Sequence, residues 1–343
     1  MSAIEVMTEP FQRTSYTLST IAETGEQFSD FAPYAASIDD RGVVAFQATL
    51  QDGGSGVFTG DGGPITVIAD SSTGLFREVS SHPDLDGRGS VCFYADLEAG
   101  HQAVFLVRNG EIATIADAAG PLGPTMNEAG AIAFRAPIAG GGSGVFASRG
   151  GAVTTIADTT GAFSGFQGLP VIDGNGSVTF RADLEGGGEG VYVSDGKYVT
   201  AVDETGSRFS SLGFFPCAND GGIVAFCADL HAGGSGVFTA TEGEITTIMD
   251  TTGPFESFRG VLLDGEGRLV FYARPRGGDL GIFTGHDPAE DCLLAVGSPL
   301  FGSTVADFAL NPVSINDVGR LAIRVELSDE RQFIFRADPV TPA

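Results

Sequence analysis

Three arginines share one place in this sequence. Arg135, Arg181 and Arg324 each follow the last residue of a short apolar motif, and the same place holds Gln47, Tyr94, Cys227 and Tyr272 elsewhere. A guanidinium presents a planar fork of donors that suits a carboxylate or a phosphate. Cations are scarce here: 18 Lys and Arg stand against 44 Asp and Glu, a net charge of −26, and Lys197 is the only lysine. A ring of Arg with Tyr94 and Tyr272 therefore suggests a site for a small anionic or aromatic ligand. The competing reading is ion pairing between neighbouring elements. Asp96, Asp183, Asp229 and Glu326 stand two residues beyond the column and are the acids for it.

A second set accompanies these residues. Tyr34, His82, Phe214, Phe215, Arg259 and Asn311 lie where neighbouring strands begin. His82 is the one histidine of four placed to act as a general base, given a partner within hydrogen-bond reach. His101 and His231 lie in glycine-rich loops and His286 follows a strand. His82, Tyr94, Arg135 and Arg181 are thus the catalytic candidates of a lyase, isomerase or cyclase. No nucleophile elbow, phosphate loop or zinc motif is present. Two columns of acids recur: an Asx that opens each repeat, and Asp70, Asp117, Asp158, Asp203 and Asp250 at a later place. Paired carboxylates can hydrolyse glycosides, but catalysis needs one unique pair rather than repeated copies. Asp84–Gly87 and Asp264–Gly267 offer too few oxygens for a calcium loop. Both columns read as turn formers, and neither a metal nor a cofactor is expected.

The elements that carry these residues are repeats. An Asx, two residues, a Gly and an apolar strand ending near Phe recur seven times: Asp39-DR-Gly42-VVAF, Asp86-GR-Gly89-SVCF, Asn127-EA-Gly130-AIAF, Asp173-GN-Gly176-SVTF, Asn219-DG-Gly222-IVAF, Asp264-GE-Gly267-RLVF and the diverged Asn316-DV-Gly319-RLAI. The spacings are 47, 41, 46, 46, 45 and 52 residues. Each repeat holds four strand-like pieces; in the fifth these are 213–218, 223–230, 237–241 and 244–249. Short strands at even spacing, parted by Gly and Asp turns, predict an all-β seven-bladed propeller with four antiparallel strands per blade. The chain opens on a lone fourth-type strand at 16–23 and ends after a third-type strand at 332–337. The N-terminal strand is expected to complete the C-terminal blade and leave no exposed edge at the closure.

Asn127-EAGAIAF and Asn219-DGGIVAF, each followed by G-V-F, resemble the bacterial tandem-repeat proteins named for an NxxGxxAF motif. The resemblance extends over nearly the whole chain and implies no defined activity, so no catalytic residue follows from it. Many proteins of that kind are exported and anchored, whereas this sequence shows neither signal.

Function is expected where the repeat departs from its own rule. The column after the motif Phe lies near the end of the hairpin opposite the Asx–Gly turn. Sixteen residues separate Asp70 from Asp86, but ten separate Asp117 from Asn127. The short segment Ala118–Met126 would open the ligand face beside Tyr94, Arg135 and Arg181. The long Ser298–Phe308 segment of the seventh repeat would cover the same face. One propeller domain is expected over 14–338, with tails at 1–13 and 339–343. The leading expectation is a binding protein for a small ligand or a protein at one face of the channel. The alternative is the enzyme above. Carbohydrate binding ranks third, because sugars stack best on Trp and the chain has none. The acidity disfavours nucleic acid and anionic membrane. Cys92, Cys217, Cys227 and Cys292 form no CxxC pair and are expected as buried thiols of a cytoplasmic monomer.

Overall fold

The computed structural model describes residues 15–97, 100–117, 122–206 and 208–340. Seven antiparallel sheets follow one another along the chain. Blade 4 shows the pattern: Phe163–Ile172, Val178–Leu184, Glu189–Ser194 and Val199–Glu204 run from the channel outwards. The closing blade, blade 7, takes Ser303–Ala309, Leu321–Leu327 and Gln332–Val340 from the end of the chain. Its outermost strand is Ser15–Glu23, paired from Ser15–Val340 to Glu23–Phe333. The closure expected from sequence is present. The third strand runs to Val340, beyond the expected boundary at 338.

The repeated Asx–Gly motif is turn chemistry in every copy. One side-chain oxygen of the Asx accepts the amide four residues on, as in Val43 N to Asp39 Oδ1 at 2.9 Å and Ile223 N to Asn219 Oδ1 at 3.1 Å. The fourth residue must then sit at positive φ, which Gly42 does at 87°. Asp70, Asp158 and Asp250 cap turns likewise, accepting from the Ser72, Thr160 and Thr252 amides.

Strand periodicity sends alternate side chains to opposite neighbours. The motif Phe of each second strand stacks on an aromatic of the third strand in blades 1 to 6, as in Phe226–Phe238 at 5.8 Å and 29°. That pair faces the preceding blade: Phe93 and Phe105 pack on Ala45 and Val57, and Phe226 and Phe238 pack on Val191. In blades 1, 3, 4, 5 and 6 a glycine stands two residues before the third-strand aromatic, where a side chain would crowd the ring, although blade 2 has Ala103 there. A Cβ on Gly236 would lie 2.6 Å from the Met249 carbonyl and 2.9 Å from the Phe238 ring. Seven apolar clusters result, each built from two adjacent blades. The inner elements surround the channel with Ile38, Leu85, Met126, Ile172, Ala218, Leu263 and Ile315.

Candidate functional site: the two ends of the channel

The column after the motif Phe faces the following blade. Tyr94 is fully buried among Val104, Met126, Ile132 and Phe134. Its hydroxyl accepts the Arg135 amide at 3.0 Å and lies 3.4 Å from the Arg135 carbonyl, and burial raises its pKa. Cys227 joins the cluster it shares with Phe255 and Phe271 of blade 6. Tyr272 packs on the apolar cluster shared with blade 7, its ring against the backbone of Gly260, and burial raises its pKa too. Gln47 is buried. These side chains therefore stand one strand back from the channel, in the clefts between blades.

The arginines in that column are incompletely paired. Arg324 donates Nη2 to Asp307 at 2.6 Å, and its Nη1 lies 3.6 Å from Glu326 without a hydrogen bond. Arg181 pairs Nη2 with Glu189, whose other oxygen accepts the Leu212 amide of blade 5. Arg135 donates Nη1 to the Phe166 carbonyl of blade 4 at 2.7 Å. Arg181 and Arg324 are only 6% and 3% exposed. Burial lowers the pKa of Arg135 and Arg181; Tyr94 and Asp183, respectively, offset part of this. Among the described residues, six buried side-chain atoms of this column have no hydrogen-bond partner: Gln47 Oε1, Arg135 Nε, Arg181 Nε and Nη1, and Arg324 Nε and Nη1.

The inner elements add a second layer at this end. Phe214, between the two inner strands of blade 5, is exposed and carries the Arg181 guanidinium over one face at 4.9 Å. Phe215 beside it is partly buried. Arg259 of blade 6 is exposed at a register break between Phe258 and Gly260. Tyr34 of blade 1 is half-buried; burial and then the charges of Glu78 and Asp96 raise its pKa. Asn311 is buried and caps the short 3-10 turn Pro312–Ser314. His82 is buried at 2% exposure, with Nδ1 facing the Gly123 amide at 3.4 Å and Nε2 without a partner. Burial lowers its pKa to about 4, so it is neutral at physiological pH.

One expectation about the loops changes, and another falls partly outside the described residues. In blade 3 the inner strand is only Thr125–Met126, and residues 118–121 lie outside the described residues. The Ser298–Phe308 segment does not reach over the channel. It forms a hairpin, Pro299–Leu300 with Ser303–Thr304, and Phe301 packs on Phe333 and Phe335 of its own blade.

The opposite end holds a feature that the motif readings missed. A cavity of about 250 Å³ opens at the Asx turns, ringed by Asp40, Glu128, Asp220 and Asp317. These acids follow the motif Asx in blades 1, 3, 5 and 7, while blades 2, 4 and 6 have Gly87, Gly174 and Gly265 there. Each acid lies over the preceding blade. Asp220 Oδ1 accepts the Gly174 amide at 2.5 Å, and Asp40 Oδ1 accepts the Asp317 amide at 3.0 Å. Glu128 accepts the Asp40 amide at 3.2 Å, and a Cβ on Gly87 would overlap its carboxylate. The motif Asn residues stitch the same ring. Asn127, Asn219 and Asn316 donate Nδ2 to the Asx carbonyl of the next blade at 2.7, 3.1 and 2.8 Å. Deeper in the cavity, Asp84 accepts the Leu85 amide at 2.9 Å and the Met126 amide at 2.6 Å. Desolvation raises its pKa to about 8 and that of Asp317 to about 6, the latter with Asp40 adding repulsion. Among the described residues no group of three or more His, Cys, Asp or Glu is arranged to hold a metal.

A family profile matches residues 17–239, about two-thirds of the chain. The chain belongs to this family of unknown function, DUF7453. No curated protein sequence matches it. Solved structures share the propeller fold at low identity. A prolyl endopeptidase aligns at TM-score 0.57 and 12% identity, over 92% of this chain and 51% of the peptidase. An oligogalacturonate lyase from Vibrio parahaemolyticus aligns at TM-score 0.53 and 12% identity, over 94% and 98% of the two chains. TolB from Acinetobacter baumannii aligns at TM-score 0.43 and 16% identity, over 79% of this chain and 60% of TolB. The chain thus spans about half to three-fifths of the endopeptidase and of TolB. No helix among the described residues is long and apolar enough to cross a membrane.

Proposed function

We propose that the protein binds a small anion at the arginine end of its channel. The observation that carries this reading is the set of buried guanidinium nitrogens of Arg135, Arg181 and Arg324 that make no hydrogen bond among the described residues, the Nη1 atoms of Arg181 and Arg324 lying 4.0 and 3.6 Å from Asp183 and Glu326. A buried donor left unmet costs about 1–3 kcal/mol, and more when it is charged. Three such residues at one level of the fold call for a compensating partner, and a carboxylate or phosphate matches the guanidinium fork. The neutral, buried His82 makes a weak base, so binding is favoured over channel-sited catalysis. The charge of −26 sets nucleic acid aside as a partner.

Calorimetric titration with inorganic phosphate and with acetate tests this. Saturable binding is expected, weakened about tenfold or more in Arg324→Met and Arg181→Met, the loss of a charge-assisted pair. Asp40→Asn, at the other end, should leave it unchanged. Absence of binding, or equal binding by all variants, would refute the reading.

A further inference from the structure

The inner layer of the arginine end says more about the ligand than its charge. Phe214 is 57% exposed although it is a large apolar side chain on an inner element. Its position is enforced from both sides. Gly213 donates its amide to the Cys227 carbonyl at 2.8 Å, and a Cβ on Gly213 would lie 3.1 Å from that oxygen. Across the cleft, Gly168 of blade 4 adopts φ 66°, and a Cβ there would overlap the Phe214 carbonyl. One ring face is covered by Arg181, so the ring is oriented by a cation–π contact and is not loosely exposed.

Arg259 holds the matching sequence position in the next blade, each residue standing five before its motif Asx, Asn219 and Asp264, and it lies at the register break before Gly260. Among the described residues, no carboxylate lies within ion-pair distance of Arg259. The inner elements of adjacent blades therefore carry a fixed aromatic face and a cation with no ion pair among the described residues.

We propose that the ligand is a six-membered ring bearing a carboxylate, its ring stacked on Phe214 and its carboxylate held by Arg259. This rests on the anion-binding reading, narrows its ligand and adds Arg259 to the arginines that hold the anion. An aromatic acid and an acidic sugar both present a flat apolar face with a carboxylate at its edge, and both fit that chemistry.

Acetate, benzoate and glucuronate, titrated separately and followed by calorimetry and saturation-transfer NMR, test the proposal. Benzoate, glucuronate or both should bind about fivefold tighter than acetate, the size of a stacking contribution. Whichever does so identifies the ring as aromatic or saccharide. Phe214→Ala should erase that advantage, so that the ring acids bind no tighter than acetate. Arg259→Gln should weaken the ring acids and acetate alike. If phosphate and acetate bind but neither ring acid gains, or if Phe214→Ala keeps the gain, the ring assignment fails while anion binding stands. If no anion binds, both fail together.

Discussion

The two ends of the channel treat charge in opposite ways. At the Asx-turn end, Asp40, Glu128 and Asp220 are occupied by amides of other blades. At the arginine end, guanidinium nitrogens of Arg181 and Arg324 are buried yet make no hydrogen bond among the described residues, with Asp183 and Glu326 only within ion-pair distance. The acids are therefore committed to holding blades in register. The arginines keep buried donors that no described residue satisfies, and this contrast underlies the anion-binding proposal.

The sharpest way to break this comparison is to disturb the acid ring sterically. Gly174→Val would drive a side chain into the Asp220 carboxylate. It should cost about 2 kcal/mol in urea unfolding, because the carboxylate must swing aside and give up its bond to the Gly174 amide. A near-neutral result would mean that the ring is not structural. Of similar size, Asn127→Asp replaces a donor with an oxygen facing the Asp173 carbonyl and should cost about 2 kcal/mol. The converse change is more telling. Asp86 Oδ2 has no partner, and Asp86→Asn would supply the donor that three other blades use. It should stabilise by about 1 kcal/mol, read from the same unfolding curves.

At the other end, Arg324→Met should change stability by less than about 1 kcal/mol, since the Asp307 and Glu326 carboxylates it leaves behind reach solvent and stay hydrated. If it destabilises as much as Asn127→Asp, the arginine column is structural and the contrast collapses. The smallest effect is on pH. Asp317 and Asp84 have folded pKa values of about 6 and 8 against an ordinary 3.8, so the folded chain retains protons that the unfolded chain releases. Their contribution to stability is therefore fully present below about pH 4 and lost as pH rises through 6 and then 8. The melting temperature should fall across that range, and Asp84→Asn should flatten its upper part. His82 acts in the opposite sense, costing stability as pH falls from 6.5 towards 4.

Much of this architecture was legible in the sequence. The Asx–Gly turns, the four-strand repeat and the closing strand all follow from local chemistry and period. The direction of the arginine column was not. A period of two says that Arg135 and Phe134 face opposite ways but not which blade each meets, because that depends on the order of blades around the ring. The channel is lined instead by inner elements such as Ile38 and Met126, whose neighbours come from other repeats. The acid ring did leave a trace. The residue after the motif Asx reads Asp, Gly, Glu, Gly, Asp, Gly, Asp through the seven repeats. The alternation becomes meaningful only when each acid is seen to need a glycine in the blade before it, except where Asp40 meets Asp317.

The joint between the first and last strands bears on how the chain is made. Glu23 pairs with Phe333, 310 residues later, and Ala322 and Ile334 complete the cluster around Phe28, Phe31, Phe46 and Phe58. During synthesis the first blade leaves the ribosome with that apolar face bare and waits for nearly the whole chain before it can be covered. Blades 2 to 6 need only a sequence neighbour. Chaperone demand and misassembly should therefore concentrate on this one seam, and a circular permutant that begins between two other blades would move the waiting face with it.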